Sequence, residues 1–209
     1  KWLQKSFLAQ RKHKEFIKQC AWSDLKATSI IIDTLPDFSN FHMGNSSPVR
    51  YTQLFEQIRT VQYNANRGVS GIDGCTSTMI GAASVNNNLT LLLSGDLSFV
   101  YDINALWNNH LTRNIRIIVI NNSGGGIFRI IPGPSSTKQL EDFFEVGNNV
   151  NIQHLVAAHN INYYAASNEE SLEDVLPTFY NEQENKRPAV LEIFTPKQAN
   201  AVVLKSYFE

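Results

Sequence analysis

The stretch SGDLSFVYDINALWNNHLTRNIRIIVINNSGGGIF, residues 94–128, decides how this chain is read. The apolar run LTLLLS, residues 89–94, leads into it as a buried strand and delivers Gly95 and Asp96. A second apolar run, IRIIVI, residues 115–120, delivers Asn121, Asn122 and three glycines. Residues 99–109 between them read as a helix, so the two strands lie side by side as a parallel crossover. Ligands of open parallel sheets bind outside the carboxyl ends of the strands. Asp96 and Asn122 are therefore expected to converge on one pocket.

Oxygen ligands at two neighbouring strand ends suit a magnesium ion carrying a diphosphate. Mg2+ takes six hard oxygens, usually one or two from protein carboxylates or carbonyls and others from substrate phosphates. Asp96 supplies charge and Asn122 a neutral oxygen. Gly124, Gly125 and Gly126 lack side chains, so their backbone can approach a ligand and a carbonyl can enter the metal shell. The helix start after Leu97, with Ser98 beside it, points free N–H groups at an anion. By itself, Asp after Gly at a strand end reads as a turn or helix cap; the second oxygen cluster shifts the reading toward a ligand.

Upstream, NFHM, residues 40–43, reads as a short strand that ends in Gly44-Asn45-Ser46, with a helix from about Pro48. Ser46 and Arg50 are a capping group and a solvated charge in the plain reading. At a strand's carboxyl end they can also reach an anion. In TVQYNANRGVSGIDG, residues 60–74, Gly68, Gly71 and Gly74 are spaced by three. That spacing is neither G-x-G-x-x-G nor a P-loop, and Ile72 stands where a G-x-S-x-G elbow needs glycine. Nucleotide binding and serine hydrolysis lose their main support. A helix is expected from about Cys75 to Val85.

Downstream, Phe128, Ile130 and Ile131 form an apolar lip that reads as core or as the wall of a substrate pocket. Residues 132–137 break the chain as a flexible crossing. Beyond Lys138 the pattern is helix (137–146), helix (151–160), strand (161–167), helix (171–183), strand (187–195) and helix. Such alternation predicts a three-layer, doubly wound α/β fold with a mainly parallel sheet. His154 and His159, five apart, miss the spacing that pairs two ligands on one helical face and read as structural. Near the start, Ser23 reads as the N-cap of a helix from Asp24 to Leu35 that Pro36 closes.

The chain has 209 residues, enough for one large domain that buries roughly 70% of its unfolded surface. Its 43% hydrophobic and 18% charged residues exclude a disordered tail, and a net charge of -1 gives no general attraction for nucleic acid. No apolar run approaches the roughly 18 residues of a membrane span. Two cysteines, Cys20 and Cys75, form no disulfide framework, so a reduced, cytoplasmic protein is expected. Residues 1–22, basic and lacking an apolar signal core, read as a helical linker from a preceding domain; residues 23–209 form the ligand-binding domain.

Residues 95–126 resemble the thiamine-diphosphate signature, in which GD-x precedes NN by some two dozen residues. GDLSFVYDINAL and NNSGGGIF, with FHMGNSSPVR and NRGVSGIDG upstream, are similar to the MenD family, the 2-succinyl-5-enolpyruvyl-6-hydroxy-3-cyclohexene-1-carboxylate synthases, over residues 21–195. The resemblance implies thiamine diphosphate with Mg2+ or Mn2+ as cofactors. It implies 2-oxoglutarate and isochorismate as substrates, which supply a succinyl unit and its acceptor in menaquinone biosynthesis. Asp96, Asn122 and the Gly124 carbonyl would hold the metal. Asn45, Ser46, Gly71, Ile72, Gly95, Leu97, Ser98 and Gly125 would line the cofactor, with Ile72 as the buttress that bends it.

Ser46, Arg50, Arg67, Ile127, Phe128 and Ile131 would face isochorismate, the arginines suiting its carboxylates because a guanidinium fork meets both oxygens. Without the resemblance, Ile72 caps the core and Arg67 is an exposed loop residue. Ser123 departs from the Asp or Asn common at its position, but it is flanked by the family's ligands and is not one of them. The glutamate that activates the cofactor belongs to a pyrimidine-binding domain with no counterpart here. The resemblance thus implies a homodimer or homotetramer with sites shared between subunits, and a fragment inactive alone. The alternatives are another thiamine-diphosphate carboligase or decarboxylase, and a non-catalytic binding module.

Overall fold

The computed structural model describes residues 2–147 and 149–209. Lys1, where the expected linker begins, and Asn148, within the expected 23–209 domain, lie outside the described residues. Helix α1 (Trp2–Gln19) buries none of its residues, although Phe16 and Ile17 lean on a small cluster formed by Leu25, Tyr51 and Val203. Helix α2 (Asp24–Asp33) starts where expected: Ser23 Oγ accepts the Lys26 N–H at 3.3 Å. No helix among the described residues is long and apolar enough to cross a membrane.

The chain then runs through β1 (Asn40–Met43), α3 (Ser47–Thr52), β2 (Gln62–Ala65), α4 (Cys75–Ala83), β3 (Thr90–Gly95), α5 (Asp96–Tyr101) and β4 (Ile115–Asn121). It continues with α6 (Ile152–Ala158), β5 (Asn162–Ala166), α7 (Glu169–Tyr180), β6 (Ala189–Phe194) and α8 (Ala199–Phe208). Among the described residues six strands pair in the order β2-β1-β3-β4-β6-β5, and every pairing is parallel. This is the doubly wound architecture expected, with a sheet that is wholly rather than mainly parallel.

Both faces of the sheet are covered, and the period-two alternation of the strands divides their side chains between the two layers. Leu91, Leu93, Ile118 and Ile120 pack with residues of α2 and α7. Leu92, Ile115, Ile117 and Val119 pack on the other side with residues of α4 and α6. From β1 the chain goes outward to β2 and returns past β1 to β3. The strand order therefore reverses between β1 and β3, where a crevice opens at the carboxyl ends.

Two expected helices differ. The helix read over residues 99–109 begins earlier, at Asp96, stops at Tyr101, and gives way to a 3-10 segment, Ile103–Trp107. The reason lies at Asp102, whose carboxylate accepts the Ser77 N–H at 2.7 Å and the Ser77 hydroxyl at 2.9 Å. Asp102 thereby caps the first turn of α4, whose N-cap, Gly74, has no side chain to do so. The helix expected over 137–146 is a single π turn, Leu140–Phe144, closed by the Glu145 N–H on the Leu140 carbonyl at 2.9 Å. Glu145 is drawn out of helical register because its buried carboxylate pairs with Arg129 and with Lys197, the latter at 2.9 Å.

Candidate functional site

β3 and β4 pair with Ser94 opposite Val119 and Gly95 opposite Ile120, so Asp96 and Asn122 leave neighbouring strands at the same end. With the turns after β1 and β4 they enclose a cleft of about 350 Å³. Of the residues singled out from the sequence, Asn45, Ser46, Arg50, Ile72, Gly95, Leu97 and Ser98 line it with Asp96. From the β4 side come Asn122, Gly124, Gly125, Ile127, Phe128 and Ile131. Arg67 and Gly71 do not line it.

Asp96 is buried, and its carboxylate accepts the backbone N–H groups of Leu97 and Gly124. Burial pushes this carboxyl up to about 7; those N–H groups pull it down, and nearby Asp24 adds a further upward push. Its Oδ2 is buried without a partner, and so is Oδ1 of Asn122. An unsatisfied buried oxygen costs about 1–3 kcal/mol, and two in one cleft are what a hard cation would satisfy. The Gly124 carbonyl accepts the Gly126 N–H at 2.9 Å and keeps a second lone pair for such a cation. Among the described residues no group of three or more His, Cys, Asp or Glu side chains could hold a metal. A cation here would complete its shell from the amide, the carbonyl and ligand oxygens, and the donor set fits Mg2+ with a diphosphate.

The glycines are needed at two points. Gly124 has φ +136°, and a Cβ there would stand 2.6 Å from the Glu145 carbonyl oxygen. At Gly126 a Cβ would stand 2.8 Å from Asn122 Nδ2 and push the amide out of place. The two asparagines divide their work. Asn121 turns back to the fold, its Nδ2 donating to Glu192 Oε1 at 2.6 Å, whereas Asn122 faces the cleft.

Several expected ligand residues have structural partners. The Ser98 hydroxyl, expected beside an anion, donates to the Ile72 carbonyl at 2.7 Å and so fixes the glycine-rich loop that carries Ile72. Asn45 Nδ2 donates to the carbonyls of Asn66 and Gly71, at 2.7 and 2.6 Å. Arg67 Nη1 donates to Asn45 Oδ1 at 2.6 Å, which holds this arginine outside the cleft lining. Ser46 has φ +71° and makes no capping bond with its side chain, so the capping reading of Ser46 does not hold. Its carbonyl accepts from Arg50 Nη1 at 2.8 Å.

The cleft also contains Asp24 and Tyr51, which sequence reasoning passed over. An acid in the first turn of a helix is an ordinary dipole partner and carries no other local signal. The Tyr51 hydroxyl is buried with no hydrogen-bond partner, and burial pushes its pKa well above the usual phenol range.

A family model described as "Thiamine pyrophosphate enzyme, C-terminal TPP binding domain" matches residues 43–193. Among curated proteins the chain is similar to 2-succinyl-5-enolpyruvyl-6-hydroxy-3-cyclohexene-1-carboxylate synthases. It is 43% identical to that of Christiangramia forsetii over 199 residues, covering 95% of this chain and 34% of the relative. It is 46% identical to that of Porphyromonas gingivalis over 197 residues, covering 94% and 34%. With the Flavobacterium johnsoniae protein the identity is 41% over 202 residues, covering 97% and 36%. The chain thus spans about a third of the length of these curated relatives. The residues matched contain both strand ends of the cleft and the glycine turn that follows β4, and on that ground the chain belongs to the thiamine pyrophosphate enzymes, by their C-terminal TPP-binding domain.

Proposed function

We propose that this chain holds the diphosphate end of thiamine diphosphate, with Mg2+ or Mn2+, in a MenD-type transferase. That enzyme decarboxylates 2-oxoglutarate and adds the succinyl unit to isochorismate. The observation that carries the reading is the pair of buried, unpartnered oxygens, Asp96 Oδ2 and Asn122 Oδ1, in a cleft at adjacent strand ends. The name shared by the relatives supports the choice of reaction. Bound thiamine diphosphate supplies a nucleophilic carbon and a place for the electron pair released with CO2.

The chain's own residues bind, orient and exclude water. Asp96, Asn122 and the Gly124 carbonyl hold the cation. Ile72, anchored through its carbonyl by Ser98, is the apolar support for the cofactor. Ile127, Phe128 and Ile131 form the apolar side of the substrate pocket, and Ser46 and Arg50 meet a carboxylate of isochorismate. Arg67, held at the rim by Asn45, meets the other once the substrate enters. The activating glutamate comes from the pyrimidine-binding domain of a neighbouring subunit. The working enzyme is then a homodimer or homotetramer, and the 209-residue chain alone is inactive.

The test is isochorismate consumption by the full-length protein and by this chain, each with thiamine diphosphate, Mg2+ and 2-oxoglutarate. Consumption is expected from the full-length protein only. Cofactor binding without isochorismate consumption would assign the cleft to a different thiamine-diphosphate enzyme. Asp96→Ala should abolish Mg2+-dependent cofactor binding without unfolding the protein, and unchanged affinity would remove the metal assignment. Arg50→Ala and Arg67→Ala should each lose isochorismate use while 2-oxoglutarate decarboxylation persists; loss of both together would place the arginines elsewhere in the reaction.

A further inference from the structure

Asp24 lies 98 residues before Asn122, and neither it nor its other two side-chain partners, Thr195 and Asn200, falls within the residues the family model matches. Its carboxylate is nevertheless bonded to the cleft. Asp24 is 3% exposed, and donors hold both of its oxygens. Oδ1 accepts from the Thr195 hydroxyl at 2.6 Å and from Asn200 Nδ2 at 2.9 Å, while Oδ2 accepts from Asn122 Nδ2 at 2.9 Å.

The direction of these bonds follows from one backbone group. The Asp24 N–H donates to Asn200 Oδ1 at 2.8 Å. A backbone N–H can only donate, so the Asn200 amide must present its oxygen there and its nitrogen to the carboxylate. The Asn122 amide likewise gives its nitrogen to the carboxylate, Nδ2 donating to Oδ2. The Asn122 oxygen is thereby turned into the cleft, where it is buried and unpartnered, as is Asp96 Oδ2. Turned over, the same amide would present N–H groups to a cation and repel it.

We infer that Asp24 is a positioning residue for the cation site: it orients the Asn122 amide so that oxygen faces the ion, and Thr195 and Asn200 hold Asp24 in that role. The inference rests on the reading of Asp96 and Asn122 as cation ligands. It makes the segment from the end of β6 to the start of α8 a contributor to cation affinity that does not touch the ion.

The experiment measures Mg2+ affinity of the full-length protein by calorimetry in the presence of thiamine diphosphate, with Mn2+ paramagnetic resonance as an independent count of bound ions. Asp24→Ala should weaken Mg2+ about 10- to 100-fold, the usual loss when a residue supporting a metal ligand is removed. Ile31→Ala, a fully buried change elsewhere in α2, controls for lost stability and should leave the affinity within about twofold. The exchanged pair Asp24→Asn with Asn122→Asp restores one N–H-to-carboxylate bond in reverse and still presents an oxygen to the ion. It should regain at least about tenfold over Asp24→Ala.

Affinity in Asp24→Ala equal to that of the parent, or a loss matched by Ile31→Ala, overturns the inference. Should Asp24→Ala not fold, Asp24→Asn, which has one acceptor oxygen for the three donors, is the reference: weakened Mg2+ binding that the exchanged pair restores upholds the positioning role, and binding equal to the parent's, or not restored in a folded pair, overturns it. Asp96→Ala separates the two readings. If it too leaves Mg2+ affinity unchanged, the cation site itself fails; if it abolishes binding while Asp24→Ala does not, only the role of Asp24 fails.

Discussion

Replacing Gly124 by alanine should damage the fold by two separable effects. At φ +136° a side chain is strained whatever space surrounds it, at about 1–3 kcal/mol. The added Cβ would also stand 2.6 Å from the Glu145 carbonyl oxygen and 3.3 Å from that of Val146. Both atoms are backbone, and Glu145 cannot retreat cheaply. Its carbonyl accepts the Gly125 N–H at 2.6 Å, and its carboxylate is held by Arg129 and Lys197. Crowding of this kind costs about 1–3 kcal/mol more, for a total of about 2–6 kcal/mol. Gly133 supplies the comparison: its φ is also positive, +99°, but a Cβ there meets no heavy atom within 4 Å. Gly133→Ala should therefore show the strain alone. The assay is equilibrium urea unfolding followed by tryptophan fluorescence, with Trp22, anchored through Nε1 to the Phe194 carbonyl at 2.9 Å, as a reporter. A Gly124→Ala variant no less stable than Gly133→Ala would refute the packing of the glycine turn against Glu145.

Two further outcomes follow from buried polar groups away from the cleft. Arg116, fully buried in β4, donates to the carbonyls of Phe179 and Asn181 at the end of α7 and to that of Arg113 at 2.6 Å. Arg116→Met keeps the apolar stem and removes these bonds, so urea unfolding should show a loss of about 1–3 kcal/mol; no loss would mean the guanidinium does not close α7. His42 is buried on β1 with Nε2 unpartnered, and burial holds its pKa below the usual 6.5. As pH falls through 6.5 the unfolded chain takes up the proton first, so the stability present above that pH is lost below it. His42→Leu should therefore gain on the parent when urea midpoints at pH 7.5 and pH 5.5 are compared, and a constant difference would contradict the burial of a neutral ring.

Much of the architecture is local in origin. The runs at 89–94 and 115–120 carry no charge except Arg116, so they read as strands covered on both faces, and their alternating side chains feed two layers. Ser23 announced the start of α2, and the paired clusters Gly95-Asp96 and Asn121-Asn122 marked the crevice because parallel strands deliver their ends to one side. Where local reading stopped short, a distant partner had intervened. Asp102 left its own helix to cap α4, and Glu145 was drawn from helical register by Arg129 and Lys197. The Ser98 hydroxyl went to Ile72 instead of toward the cleft.

By itself, then, the sequence determined the strands, their parallel crossovers and the oxygens at two strand ends, because periodicity and turn chemistry act between near neighbours. Only the tertiary structure decided which end of the Asn122 amide, oxygen or nitrogen, faces the cleft. That choice depends on Asp24, Thr195 and Asn200, which are brought together by the packing of α2 and α8 at the carboxyl end of the sheet, and no spacing along the chain encodes it.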